Sequence, residues 1–163
     1  MRVLRKIVGA LFSNAAGTAV ARRMLPALDR LFLALSRGRV TFTGFVEPTI
    51  VLETVGARSG QTRQNPLLYV RDGERFVVAG TNFGQASHPA WSGNLLAGPD
   101  AVVIHRGRRV PVRAEPITDD SERSRLWKQL DAIYIGFRRY REVTADIREV
   151  RMFALVPREA ARR

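Results

Sequence analysis

Apolar residues recur at helical spacing in the first forty residues and form strand-like runs from Thr41 onward. Apolar positions three and four apart predict an amphipathic helix near the start, formed by Val3, Leu4, Ile7, Val8, Leu11 and Phe12. A second helix is predicted from about Arg22 to Ser36, with an apolar side formed by Leu25, Leu28, Leu31, Phe32 and Leu35. Two amphipathic helices are therefore expected before the first strand.

Short runs of β-forming residues, bounded by glycine and other turn residues, predict about six strands after these helices. The runs are Thr49–Val55, Pro66–Arg71, Arg75–Gly80, Ala101–His105, Arg109–Ile117 and Arg151–Val156. A short helix is predicted between the third and fourth strands, with His88 as its cap, Pro89 in its first position and Gly98-Pro99 at its end. A longer helix over residues 118–134 precedes the last strand.

Strands joined by short turns predict an antiparallel sheet in meander order, and such a sheet often curls into a small barrel. The predicted fold class is therefore α+β. Three regions are expected along the chain: amphipathic helices over residues 1–40, a β-barrel domain over residues 41–157, and a charged tail over residues 158–163.

The length of 163 residues fits one domain, and a hydrophobic content of 45% is enough for a packed core. The chain has no cysteine, which excludes disulfides, thiol nucleophiles and cysteine-ligated metals. The absence of cysteine also suits a reducing cytoplasm.

The formal net charge of +12 is typical of proteins that bind nucleic acid, anionic membrane surfaces or polyanionic small molecules. We expect no nucleic-acid partner, because the chain has no nucleic-acid-binding motif and no basic run interleaved with aromatics. The first 40 residues hold eight Lys or Arg and one acid, Asp29. The basic helices there could lie on an anionic membrane surface or dock on the core with a solvated face, and the sequence leaves both open.

The longest uncharged stretch, Ile7–Ala21, is too short and too rich in Gly, Ser and Asn to span a bilayer, and it fits a signal peptide only loosely. The two histidines, His88 and His105, are far apart, and no metal-binding motif supports them, so we expect no metal site. There is also no nucleophile elbow and no phosphate-binding Gly-rich loop. The functions that remain are ligand binding and chemistry carried by an organic cofactor.

The stretch GARSGQTRQNP, residues 56–66, separates the first two predicted strands. Gly56 and Gly60 allow a turn with positive φ that exposes backbone N–H groups. Arg58 and Arg63 can then donate hydrogen bonds in pairs to phosphate or carboxylate oxygens. A plain hairpin loop with two solvated arginines is the alternative.

The stretch AGTNFGQASHPAWSGNL, residues 79–95, carries small residues that permit a flat ring to approach the backbone. Trp91 and Asn94 lie on one face of the short helix. The alternatives are that Trp91 is a core residue and that Asn94 anchors a loop.

Aromatic residues recur in the last predicted helix and beyond it, at Trp127, Tyr134, Phe137 and Tyr140. The last three are spaced by three, so they lie on one face if the helix continues past Gly136. An aromatic core stripe is the alternative.

The order of a strand, GARSGQTRQNPLLYVRDGERFVVAGTNFG, HPAWSGNL, a hairpin and an aromatic helix resembles the deazaflavin-dependent nitroreductase family over roughly residues 20–157, including its F420H2-dependent quinone reductases. These small oxidoreductases use reduced coenzyme F420, an 8-hydroxy-5-deazaflavin with a polyglutamate tail. The resemblance implies an FMN-binding-type split β-barrel. It also implies hydride transfer from the reduced deazaflavin to a small-molecule quinone, nitro or enone-type acceptor.

The resemblance also implies roles for individual residues. The phosphate and tail of the coenzyme would face Ala57, Arg58, Ser59 and Arg63. The same groove would be lined by Gln64, Asn65, Pro66, Leu67 and Leu68. The deazaflavin ring would be held by Ala79, Gly80, Thr81, Asn82, Ala90, Trp91, Ser92, Gly93 and Asn94. The ring and acceptor pocket would be walled by Phe137 and by the candidate catalytic residues Tyr134 and Tyr140, with Tyr134 or water as proton donor.

Two departures from relatives bear on these roles. Many relatives have a basic residue where this chain has Ala57, which implies weaker binding of the coenzyme tail. Some have tyrosine where Phe137 stands, which puts reduction of the same bulky nitroaromatics in doubt.

Two other functions stay open. The barrel could bind FMN or haem, or the chain could be a non-catalytic protein that sequesters a cofactor or lies on the inner face of the cell membrane through its N-terminal helices. The sequence does not predict an oligomeric state.

Overall fold

The computed structural model describes residues 48–158 and, before them, Met24, Ala27, Leu28, Leu31 and Phe32. These five earlier residues are helical, as the second predicted helix requires. The first predicted helix, the boundary at residue 40 and the tail beyond residue 158 lie outside the described residues.

Seven strands form one curled antiparallel sheet within residues 48–158. They are β1 (Thr49–Val55), β2 (Thr62–Leu68), β3 (Val70–Asp72), β4 (Arg75–Ala79), β5 (Asp100–His105), β6 (Arg108–Pro116) and β7 (Met152–Pro157). Their spatial order is β2-β1-β5-β6-β7-β4-β3. The predicted meander order is therefore wrong, because β1 pairs with β5 and β7 pairs with β4.

The predicted strand Pro66–Arg71 is divided in the structure. β2 pairs with β1 at one edge of the sheet, whereas β3 pairs with β4 at the other edge. Only Tyr69 separates the two strands, so the chain passes from one edge to the other within a single residue. The sheet must curl for this to happen, which gives the half-barrel shape.

Three helices accompany the sheet in this part of the chain: α1 (Ala90–Ala97), α2 (Asp120–Ile133) and α3 (Gly136–Thr144). α1 starts one residue later than predicted. Pro89 is its cap, so the prediction that His88 caps it is wrong. Asp119 caps α2 by accepting a hydrogen bond of 2.7 Å from the backbone N–H of Glu122.

The curled sheet is buried on both faces. Phe76 and Val78 of β4 pack with Trp91 of α1 on the concave side, while Val77 between them packs with Leu126 of α2 on the other side. Strands buried on both faces have continuous apolar runs, which is why "RFVVA" and "MFALV" lack polar alternation.

Ion pairs attach the β3–β4 hairpin to α2. The carboxylate of Asp72 accepts from Arg75 and, at 2.7 Å, from Arg125 of α2, while Arg75 also donates to Glu122 at 2.8 Å. Hydrogen bonds from Arg125 and Arg75 lower the pKa of Asp72 to about 2. Since this pKa lies below the value in the unfolded chain, the carboxylate stabilises the fold above pH 4, and this contribution disappears as the pH falls toward 2.

We expect Asp72→Asn to lower the free energy of unfolding by up to about 2 kcal/mol at pH 7, where the pKa difference is fully expressed. The loss should shrink between pH 4 and pH 2. Urea unfolding across this range measures it. Glu74→Gln, a charge change in the same turn, is the control, and an equal loss in that variant would contradict this account.

Candidate functional site

The loop between β1 and β2 is a closed turn fixed to α1. The N–H of Gly56 donates to Gln61 at 2.8 Å, and the N–H of Gly60 donates to Gly56 at 2.8 Å, with Gly60 in the left-handed region at φ 65°. Asn94 of α1 accepts from the backbone N–H of Ala57 at 3.0 Å. Its amide nitrogen donates to Thr54 at 3.1 Å. Asn94 therefore anchors the loop through its side chain.

Two arginines of this segment have no carboxylate partner among residues 48–158. Arg58 is exposed and makes no hydrogen bond or ion pair there, and Arg63 donates to the side chain of Gln61 at 2.7 Å. Three arginines of the sheet, Arg75, Arg109 and Arg113, do pair with carboxylates, as Arg109 does with Glu53 at 2.6 Å. Ser59 is also exposed, and its hydroxyl accepts from Gln61 N–H at 3.3 Å. The loop thus presents uncompensated positive charge to solvent.

Residues of β2 alternate between the two faces of the sheet. Directly paired residues of neighbouring strands point to the same face. Arg63, Asn65 and Leu67 pair with Thr54, Leu52 and Ile50, which face α1 and the concave core. The other set is Gln64, Pro66 and Leu68, and Gln64 donates to Glu53 at 3.0 Å. Only the first set shares a face with the anchored loop and α1.

The end of β4 lies beside the start of α1. A Cβ added to Gly80 would come within 3.3 Å of Pro89 Cγ and 3.5 Å of the Arg151 carbonyl. Gly80 is buried between these groups and donates to the Arg151 carbonyl at 2.8 Å. Ala79 is half-buried and Thr81 is buried, and the Thr81 N–H turns back to the Ala79 carbonyl at 3.0 Å.

The backbone after this strand end is strained. Asn82, Phe83 and Gly84 follow one another in the left-handed region, with φ of 48°, 54° and 73°. Such conformations cost of order 1–3 kcal/mol for a non-glycine residue and concentrate at functional sites. Asn82 is tied to Ser87 by a hydrogen bond of 3.0 Å, and Phe83 packs on Tyr140 with ring centroids 6.1 Å apart.

The predicted residues of α1 are divided between core and surface. Trp91 is a core residue, 5% exposed, and packs on Phe153 with ring centroids 5.9 Å apart. Ser92 is fully buried and donates to the Pro89 carbonyl at 2.8 Å. Ala90 is exposed, and Gly93 is half-buried with open space where a Cβ would lie.

The predicted aromatic residues come together, but not on one helix. α2 ends at Ile133 and α3 begins at Gly136, so Tyr134 lies in the break. Its ring packs edge-on against Phe137 at 5.5 Å, and its hydroxyl lies 3.1 Å from that of Tyr140. Phe137 and Tyr140 are 5% and 3% exposed, whereas Tyr134 is half-buried. Tyr134 is thus the more accessible of the two tyrosines.

Gly136 is required by the position of the Tyr134 ring, since a Cβ there would lie 2.3 Å from Tyr134 Cε1. We expect Gly136→Ala to displace this ring and to lower the free energy of unfolding by about 1–3 kcal/mol through overpacking. Near-ultraviolet circular dichroism reports the ring, and urea unfolding reports the stability. Gly98→Ala, at a glycine with open space around it, is the control. An unchanged aromatic spectrum in Gly136→Ala would contradict this role.

Sequence reasoning missed Arg148, which joins several backbone carbonyls of the β4 end and donates to Thr81 O at 2.8 Å. It lies in a mixed run of charges, "ADIREVR", and has no motif to single it out.

Among the described residues, no group of acidic or histidine side chains could hold a metal ion.

Within the same residues, no helix has both the length and the apolar character needed to cross a bilayer.

Comparison with known proteins adds to this geometry. The model of the family described as "F420H(2)-dependent quinone reductase" matches residues 32–153. A Mycobacterium tuberculosis protein whose name places it among the F420H(2)-dependent quinone reductases is 38% identical over 90 residues, which cover 55% of this chain and 75% of that protein. A second M. tuberculosis F420H(2)-dependent quinone reductase is 34% identical over 82 residues, covering 50% of this chain and 55% of that protein.

Two solved structures share the fold. A structure described as an F420-H2 dependent reductase has a TM-score of 0.60 and 27% identity, over 66% of this chain and 93% of its own. Another, described as a domain-swapped dimer, has a TM-score of 0.62 and 24% identity, over 77% of this chain and 94% of its own. The predicted fold class, with its curled antiparallel barrel, is confirmed.

Proposed function

Because this chain belongs to the F420H(2)-dependent quinone reductase family, we propose that it is an oxidoreductase that binds reduced F420 and passes a hydride to a quinone. The observation that carries the proposal is the pair Arg58 and Arg63, which lack a carboxylate partner in the described part of the chain. Arg58 lies on the loop fixed to α1, and Arg63 lies near the start of the strand that follows it, β2. Two guanidinium groups on a fixed backbone suit a ligand with several carboxylates.

The tail of the coenzyme would be held by Arg58 and Arg63, with the Ser59 hydroxyl beside them. Arg58 is exposed and Arg63 is half of an exposed pair with Gln61, so both can turn toward an anion with little reorganisation. Ala57 holds the loop in place through its backbone N–H, which donates to Asn94. Its missing charge therefore leaves the loop geometry intact and reduces only the electrostatic part of tail binding.

The ring would lie where the β4 end, the start of α1 and the α1-facing side of β2 meet, and we call this place the ring seat. Gly80 and Thr81 follow β4 there, and Asn65 and Leu67 share the face of Arg63. Trp91 supports this seat from the core, since it packs on Phe153 beneath α1. When bound, F420H2 supplies the hydride, and the task of the protein is to orient the ring and exclude water.

Tyr134 would donate the proton to the acceptor. The hydroxyl of this half-buried residue lies 3.1 Å from that of the buried Tyr140, so Tyr140 can orient it and replace its proton. Phe137 holds the Tyr134 ring edge-on at 5.5 Å. The three aromatics would form one wall of the acceptor pocket.

The test is anaerobic turnover of reduced F420 with water-soluble benzoquinones and naphthoquinones, followed by the return of oxidised coenzyme absorbance. A nitroaromatic and an enone, run beside them, show whether the acceptor range is wider. A long-chain quinone in anionic and in neutral liposomes tests whether the basic N-terminal region brings the protein to a membrane surface. Absence of oxidation above the uncatalysed rate with every acceptor would contradict the proposed activity.

A further inference from the structure

Arg148 joins both ends of the strained turn that follows β4. Its Nη1 donates to the Gly80 carbonyl at 3.1 Å, its Nη2 to the Thr81 carbonyl at 2.8 Å, and its Nε to the Gln85 carbonyl at 3.1 Å. Nη1 also lies 3.3 Å from Nδ1 of His88. One guanidinium group therefore satisfies acceptors on both sides of residues 82–84.

The charged guanidinium group of Arg148 is hydrogen-bonded to neutral groups. Within residues 48–158 no carboxylate pairs with it, and burial, together with the nearby charge of Arg151, lowers its pKa. Burial, followed by the charges of Arg151 and Arg148, also lowers the pKa of His88, which favours the neutral imidazole beside the guanidinium group. A half-buried cation without an acid is costly, and here it makes several hydrogen bonds to carbonyls.

The turn that Arg148 brackets needs such support. Asn82 and Phe83 are in the left-handed region, which costs energy unless surrounding contacts hold it. The turn is closed by short backbone bonds from Gly84 to Thr81 and from Gln85 to Asn82, both 3.0 Å. Arg148 adds bonds to the Gly80, Thr81 and Gln85 carbonyls, so it fixes the direction of the N–H and C=O groups at the β4 end.

We propose that Arg148 is a positioning residue for the ring seat: it holds the β4 end, and with it Phe83 against Tyr140, in the geometry that receives the deazaflavin ring. This inference rests on the proposed function. Since Arg148 acts on the ring seat and not on the Arg58 loop, its loss should weaken binding of the whole coenzyme and of a deazaflavin without phosphate and tail by the same factor.

The test compares Arg148→Met with Arg123→Met, a matched control. Arg123 also donates to two backbone carbonyls, those of Ile117 and Val150 at 2.9 and 3.0 Å. It pairs with the exposed Glu149 as well, but it does not touch the turn. We expect Arg148→Met to weaken the binding of both ligands by about 10- to 100-fold, because hydrogen bonds to a charged group are lost. Arg123→Met should leave both affinities within about twofold of the original protein, since its hydrogen bonds lie outside the ring seat.

Hydrogen exchange in the ligand-free protein gives a second readout. In Arg148→Met, the amides of Gly84 and Gln85 should exchange faster, while those of β6 should not change. Guanidinium ion added to Arg148→Ala should restore part of the ring affinity. Unchanged exchange at these two amides, or a loss confined to the tailed coenzyme, would overturn the proposal. If the unaltered protein binds neither ligand, the proposed function fails, and the exchange result alone then decides whether Arg148 holds the turn.

Discussion

Replacing Arg58 and Arg63 together with alanine is expected to lower the affinity for long-tailed reduced F420 by about 10- to 100-fold at low salt, because two solvent-exposed charge-assisted contacts are lost. Both side chains lie on the segment that Asn94 fixes to α1, and neither has a carboxylate partner among residues 48–158. A tail of several carboxylates meets these two charges, so the loss should grow with tail length. It should also shrink as added salt screens exposed charges.

Fluorescence titration of the coenzyme measures this loss. The matched control is the double variant Arg106→Ala with Arg108→Ala, which removes the same charge from the exposed β5–β6 turn. The control should change affinity only slightly, through net charge. A deazaflavin without phosphate and tail should bind the Arg58/Arg63 variant as tightly as the original protein. An equal loss in both double variants would mean that overall charge, and not this loop, binds the tail.

Tyr134→Phe is expected to lower the turnover number by about 100-fold with little change in coenzyme affinity, since a positioned general acid contributes about that much. The Tyr134 hydroxyl lies 3.1 Å from that of Tyr140 and belongs to the more accessible ring. Tyr140→Phe should cost less, because Tyr134 keeps its own proton and loses only the partner that orients it.

Single-turnover kinetics in water and in deuterated water measure this effect. Tyr69→Phe is the control, because its hydroxyl is also hydrogen-bonded, to His105 Nε2 at 2.9 Å, on another part of the sheet. The solvent isotope effect on turnover should diminish in Tyr134→Phe and persist in Tyr69→Phe. If Tyr134→Phe turns over as fast as the original protein, water or another group donates the proton.

The sequence predicts the elements of this fold well where one local signal decides them. The runs at β1, β4, β5, β6 and β7, the glycine turns and the end of α1 at Gly98 all agree within one or two residues. The division at Tyr69 has no local signal, because "PLLYVR" is apolar throughout and the break arises from pairing with two different edges. Strand order is likewise set by tertiary pairing of distant segments.

The candidate site shows the same limit. The turn at residues 56–60 and the small residues at 79–81 can be seen in the sequence, since their backbone geometry requires glycine or small side chains. The side-chain role of Asn94 and the core position of Trp91 depend on which face of α1 meets the sheet. Arg148 contacts carbonyls more than 60 residues away, and no short-range pattern encodes that.

Titration of the purified chain with reduced, long-tailed F420, beside FMN and haem, tests which cofactor this protein binds. We expect saturable binding of reduced F420 at low salt with a Kd in the micromolar range or below, and oxidation of the bound coenzyme when a quinone is added. FMN and haem should bind much more weakly. No saturable binding of F420, or tighter binding of FMN or haem, would contradict the account.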